Sequence, residues 1–154
     1  MKYEILLLGK TKESFLGEGI REYTKRLQHY ASINVKTLKV KKNEGSEEVI
    51  KQKEGEQLVA HLRPSTFTVA LDSGGRQFSS TGLAKEIEGW EKRGVKHVTF
   101  LLGGPFGLAP TVLQQANMQI SLSTMTFTHE MARLFLLEQL YRAYTIKNGE
   151  KYHK

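Results

Sequence analysis

Three stretches of this chain combine residue types that can do chemistry with a spacing that brings a ligand close. The first is Gly103-Gly104-Pro105-Phe106-Gly107, set directly after the apolar run His97–Leu102. Glycine lets the backbone approach a ligand closely and take positive φ, and Pro105 fixes part of the loop. The same residues also suit an ordinary tight strand-to-helix turn. The second is Leu122-Ser123-Thr124-Met125-Thr126-Phe127, where small hydroxyls mix with Met and Phe just past another strand. An apolar slot with a few hydrogen-bonding groups suits a flat base such as adenine. It equally suits a capped connection with two core anchors, in which Thr128 is the N-cap of the last helix. The third is the tail, where Tyr152 and His153 follow the helix-ending Gly149; chain ends are commonly frayed.

Several familiar chemistries are excluded by their missing residues. The glycine loop is not G-x-G-x-x-G, because its third position is Pro105, and no G-x-x-x-x-G-K-[ST] or G-x-S-x-G run exists. His129-Glu130-Met131-Ala132-Arg133 begins like H-E-x-x-H but carries Arg133 where the second imidazole belongs, so no zinc site is expected. Gly104-Pro105-Phe106-Gly107 matches the GXXG of KH modules, but that loop joins two helices and here a strand precedes it.

The elements that must position these stretches alternate. Tyr3–Gly9 reads as a buried strand. Leu16, Ile20, Tyr23, Leu27 and Tyr30 form one helical stripe within Glu13–Tyr30. Ile33–Val40 alternates like a strand near an edge, and Glu47–His61 is a weaker helix interrupted by Gly55. Phe67–Asp72 is a strand closed by a turn at Ser73-Gly74-Gly75. Ser80 is placed to cap a helix whose inner face is Leu83, Ile87 and Trp90, and Gly94 suits its C′ position. His97–Leu102 is a strand, Pro110–Gln115 a short helix, and Gln119–Leu122 a fifth strand. Glu130–Asn148 is a long helix with the stripe Met131, Leu134, Phe135, Glu138, Tyr141 and Tyr144. Five alternations predict a single-domain α/β fold over residues 1–154: a largely parallel five-stranded sheet with helices on both faces. Ligands of such sheets bind beyond the carboxyl ends of the strands. That places the candidate site at the loops after Asp72, Leu102 and Leu122.

At 154 residues, 39% of them hydrophobic, the chain is long enough for one core, and it has no cysteine for disulfides or thiolate metal sites. No run is long enough for a membrane span or a signal h-region, so a cytoplasmic protein is expected. The net charge is +7, as a nucleic-acid partner would require and as a merely solvated basic surface would also give. It is spread as +3, +2 and +2 over residues 1–50, 51–100 and 101–154, with one local run at Lys36, Lys39, Lys41 and Lys42.

Taken together, several segments resemble one family. They are Tyr3-Glu4-Ile5-Leu6-Leu7-Leu8-Gly9-Lys10, Lys53-Glu54-Gly55-Glu56, Ala70-Leu71-Asp72, Gly103-Gly104-Pro105-Phe106-Gly107-Leu108, Leu122–His129, Leu140-Tyr141-Arg142-Ala143 and Tyr152-His153-Lys154. In order and spacing, over the whole chain, they are similar to the bacterial large-subunit ribosomal RNA pseudouridine N3-methyltransferases, the RlmH family of the SPOUT superfamily. Phe106 and Thr128 stand where that family varies. The resemblance implies methylation of N3 of a pseudouridine by S-adenosylmethionine on the assembled ribosome, by a homodimer with a deep C-terminal trefoil knot. It places the cofactor at Leu71, Gly103, Leu122, Ser123, Thr124, Met125, Thr126 and Phe127. Arg142, Tyr152 and His153 fall to the substrate. Arg142 would hold phosphate or a developing uracil anion, Tyr152 would stack on a base, and His153 would take the N3 proton. His129 is first a helix-starting residue beside the cofactor loop. A non-catalytic ribosome-binding factor of the same fold is the competing class; only the methyltransferase should bind S-adenosylmethionine.

Overall fold

The computed structural model describes residues 1–40 and 44–154. Lys41 and Lys42 of the basic run lie outside the described residues. The elements follow as β1 (Lys2–Leu8), α1 (Ser14–Leu27), β2 (Ser32–Leu38), α2 (Glu47–Ala60), β3 (Phe67–Gln77), α3 (Ser80–Lys92), β4 (His97–Leu102), α4 (Pro110–Gln115), β5 (Met118–Ser121) and α5 (His129–Lys147). All strand pairs are parallel, in the order β2-β1-β4-β3-β5.

A strand buried on both faces is expected to be nearly all apolar, and β1 is so from Ile5 to Leu8, after Lys2 and Glu4 at its start. Tyr3, Ile5 and Leu7 face one core while Leu6 and Leu8 face the other. Helices α1, α3 and α5 cover the first face through Ile20, Leu27, Leu83, Ile87, Trp90, Leu136, Leu137 and Leu140. Helices α2 and α4 cover the second through Leu58 and Val112. Strand β2 is an edge, and Lys36 stands exposed on it, a charge that discourages pairing with another chain.

Four local expectations are corrected. The cap of α3 is Ser79, whose Oγ accepts from Gly82 N–H at 3.0 Å; Ser80 Oγ instead donates to Gln139 Oε1 at 2.7 Å. Gly55 does not interrupt α2. It lies buried where α2 meets α4, and a Cβ there would stand 2.7 Å from Val112 Cγ2. The buried face of α5 is Arg133, Leu136, Leu137, Leu140, Ala143 and Tyr144. Of the expected stripe only Tyr144 is fully buried, because α5 is seated between α1 and α3 and its flanks are covered too.

The last correction concerns β3, which does not end at Ser73-Gly74-Gly75. After an irregularity between Leu71 and Arg76 the chain pairs with β5 again, so Ile120 is matched with both. The approach is tight: a Cβ on Gly75 would lie 2.6 Å from Ile120 N. Only glycine fits there.

Candidate active site

The carboxyl ends of β3, β4 and β5 open into one cleft of about 370 Å³. Leu71, Gly103, Leu122, Ser123, Met125, Thr126 and Phe127 all line it, while Thr124, exposed in the same loop, does not. Loops at residues 71–73, 103–107 and 122–127 meet here because parallel strands carry every βα connection to the same end of the sheet.

The glycine loop owes its shape to two close approaches. Gly107 N–H donates to Gly104 C=O at 3.0 Å, with Gly107 at φ +81. A Cβ on Gly103 would sit 2.5 Å from the Gly107 carbonyl carbon. A side chain at position 103 therefore strikes the loop's own backbone before it reaches any ligand. In the facing loop Ser121 Oγ donates to Ser123 C=O, and Met125 N–H donates to Ser123 Oγ, each at 3.0 Å. Phe127 packs edge-on against Phe135, centroids 4.8 Å apart, and Thr128 Oγ1 caps α5 by accepting from Met131 N–H at 3.2 Å. The segment caps α5 through Thr128 and lines the cleft, but of the two expected core anchors only Phe127 packs inward. Met125 is left 75% exposed at the rim.

Composition did not reveal several other lining groups. Lys51 enters from α2, Asp72 and Ser73 from the β3 irregularity, and His129 and Ala132 from the first turn of α5. Burial, then the nearby Arg133 guanidinium, holds His129 below the usual imidazole range. Arg133 is itself fully buried. It donates to Leu8 C=O at 2.6 Å and to Gly9 C=O and Thr11 Oγ1 at 3.0 Å, fixing the chain where it leaves β1. The residue that spoils the H-E-x-x-H pattern is thus a clamp on the backbone.

Arg142, Tyr152 and His153 form a second cluster, away from the cleft. The tail is docked, not frayed. Tyr152 OH donates to Glu138 Oε1 at 3.0 Å and shares a 3.0 Å hydrogen bond with Tyr23 OH, and its ring stacks edge-on with Tyr141. The Arg142 guanidinium lies 4.7 Å from the Tyr152 ring centroid and pairs with Glu138 through Nε and Nη2. Nη1 reaches toward His153 Nδ1 at 3.4 Å. The bond to Glu138 holds Arg142 firmly charged, and burial followed by the Tyr23 and Glu138 contacts pushes the Tyr152 phenol up. Arg142 follows His129 by thirteen positions on α5, so at 1.5 Å per residue the cluster stands roughly 20 Å along the helix from the cleft.

A family model described as "Predicted SPOUT methyltransferase" matches residues 1–153. The chain belongs to the SPOUT methyltransferase family. Over its full length this SPOUT chain is 53% identical to the ribosomal RNA large subunit methyltransferase H of Desulfotalea psychrophila, and it covers all of that protein. It is 41% identical, over the full length of both, to the protein of the same name from Halothermothrix orenii. Among solved structures, a methylase family protein from Haemophilus influenzae superposes with a TM-score of 0.57 at 14% identity, covering 99% of this chain and 70% of that one. The methyltransferase Lpg2936 of Legionella pneumophila, solved with bound SAM, superposes with a TM-score of 0.53 at 11% identity, covering 93% and 66%. At such identities these two likenesses speak for the SPOUT fold, which the parallel sheet and its helix layers bear out.

Proposed function

We propose that this chain methylates N3 of a pseudouridine in large-subunit ribosomal RNA, on the assembled ribosome, with S-adenosylmethionine as donor. The observation that carries the reading is the cleft between residues 103–107 and 122–127 in a chain 53% identical, end to end, to a ribosomal RNA large subunit methyltransferase H. The lining fits the cofactor. Leu71, Leu102, Ile120, Leu122 and Phe127 supply apolar walls, the glycine loop and Ser123 supply backbone and hydroxyl groups, and Lys51 supplies a cation for a carboxylate. When bound, the cofactor supplies an electrophilic methyl on a sulfonium, with a good leaving group.

The chain's own task is alignment and management of the N3 proton. The residues assigned to the cofactor are Leu71, Gly103 and Leu122–Phe127, Thr124 included as part of the loop. Tyr152 presents an aromatic face for an unpaired base. His153, exposed at the tail, accepts the N3 proton on its imidazole, and Arg142 stabilises phosphate or the uracil anion through Nη1. Because Arg142 is already paired with Glu138, its Nη1 is the arm left to reach substrate. The roughly 20 Å between cluster and cleft supports a homodimer in which each tail serves its partner's cleft. A deep trefoil knot belongs to the same reading. It is supported by the close approach of Gly75 to β5 and by the seat of α5 between α1 and α3. A bacterial enzyme acting on ribosomes works in the cytoplasm.

Radiolabelled methyl transfer to whole ribosomes, separate subunits and naked RNA tests the reading. Label in a large-subunit pseudouridine, with whole ribosomes as the best substrate, is expected. Binding to ribosomes without cofactor binding or label transfer would establish the non-catalytic factor instead.

A further inference from the structure

Behind the glycine loop lies a carboxylate that neither the fold nor the proposed chemistry has used. Glu54, on α2, is only 4% exposed, and its Oε2 has no hydrogen-bond partner. It makes no ion pair among the described residues. A Cβ on Gly104 would stand 3.1 Å from Oε2 and 3.3 Å from Oε1, so the carboxylate is pressed directly against the back of that residue. Gly104 lines the cleft on its other side. One backbone thickness therefore separates a buried, unpaired acid from the ligand space.

Burying an unpartnered carboxylate costs free energy, and no hydrogen bond or ion pair among the described residues offsets it. A ligand with fixed positive charge would. The donor carries a sulfonium cation, and the product left after methyl transfer, S-adenosylhomocysteine, is a neutral thioether. We propose that Glu54 is the charge sensor of the cofactor site, favouring the cationic donor over its neutral product through the glycine loop. Unit charges near a protein surface still interact over several ångströms, so no direct contact is needed. The other carboxylate at the cleft, Asp72, is less suited. It is half-exposed, and its Oδ2 already accepts from Gly74 N–H at 2.9 Å. Lys51, one turn before Glu54 on α2, lines the cleft as a cation and so offers the sulfonium no attraction of its own.

The inference rests on the proposed cofactor and is tested by titration calorimetry of S-adenosylmethionine and S-adenosylhomocysteine. The proteins are the wild-type chain, Glu54→Gln, Glu54→Asp and Asp72→Asn. Wild type is expected to bind the donor more tightly than the product. Glu54→Gln should weaken donor binding about tenfold and change product binding less than threefold, while Glu54→Asp, which keeps the charge, retains most of the preference. Equal losses for both ligands would mark a purely structural role, and a preference abolished by Asp72→Asn but not by Glu54→Gln would move the sensor; either overturns the inference. Should Glu54→Gln fail to fold, wild type decides with sinefungin, in which an amine-bearing carbon replaces the sulfonium. Tighter binding of sinefungin than of S-adenosylhomocysteine supports the sensor, and equal binding rejects it. If wild type binds none of these ligands, the proposed function falls, and the inference with it.

Discussion

At the scale of single residues, the site stores cost where the ligand will act. Burial raises the Glu54 carboxyl above the ordinary range. The sign of its effect on folding follows. Between the unfolded value, near 4.3 for a free glutamate, and the raised folded value, the native state holds the proton that the unfolded state has lost. Stability therefore falls as pH rises through that window and stays low above it. Glu54→Gln removes the titration. Without ligand it should melt higher than wild type at pH 7, with the gain vanishing as pH approaches 4, in thermal scans by circular dichroism. A residue that costs stability in the empty protein and repays it with ligand is a trade commonly made at functional sites. The cleft also offers a cleaner probe than Gly103. Gly103→Val would collide with Gly107 and damage the loop itself. Thr126 is exposed and lines the cleft, so Thr126→Trp grows into ligand space and not into the core. It should lower S-adenosylmethionine affinity at least tenfold in calorimetry while leaving the melting temperature unchanged.

At the scale of elements, α5 connects the cleft to the tail cluster. Its capped first turn walls the cleft, and its last turns hold the tail through Glu138 and Tyr141. Glu138→Ala should free Arg142 and Tyr152 together. We expect residues 149–154 to lose protection in hydrogen exchange and to become open to carboxypeptidase, with cofactor affinity unchanged; an unaltered tail would show that Tyr23 and Tyr141 suffice. How much of this was legible varies by element. Strands β1 and β4 were readable because a strand buried on both faces is mostly apolar, as Ile5–Leu8 and Phe100–Leu102 are, and α1 and α3 because one face of each meets solvent and leaves a clean stripe. Helix α5 misled because it is covered on three sides, so apolar residues surround it and the periodicity that marks an inner face disappears. The irregularity in β3 was hidden since Ser73-Gly74-Gly75 reads as a turn. Its glycine at position 75 is there for a close backbone approach, and the strand it approaches, β5, is more than forty residues away. The loops of the cleft were found because strand ends and glycine are local signals. Glu54 and Arg133 were missed because their meaning lies in what packs over them, which no spacing encodes.

At the scale of the molecule, charge and symmetry decide how a small protein engages a ribosome. A +7 chain neutralising phosphates releases counterions, so ribosome affinity should drop steeply with salt. Replacing Lys39, Lys41 and Lys42 should flatten the slope, and a response already flat in wild type would reduce the charge to a solubility device. The proposed dimer carries the sharper consequence. In one protomer Arg142, Tyr152 and His153 form a rigid cluster roughly 20 Å along α5 from the cleft, too far to act on a base held there. A two-fold axis resolves this if it lays each tail over its partner's cleft. Two separately inactive variants then test the arrangement: Thr126→Trp, which blocks the cleft, and a chain lacking residues 151–154, which has no tail. In a mixed dimer, the unblocked cleft belongs to the tailless protomer, and the intact tail belongs to the blocked one. Only action across the interface brings them together, so methyl transfer to ribosomes should reappear after subunit exchange, approaching half the wild-type activity per mixed dimer. Action within one protomer leaves every site defective and predicts none. Mixed dimers verified by tag-selective purification and still inactive would refute exchange of tails, as would full activity in the truncated chain alone.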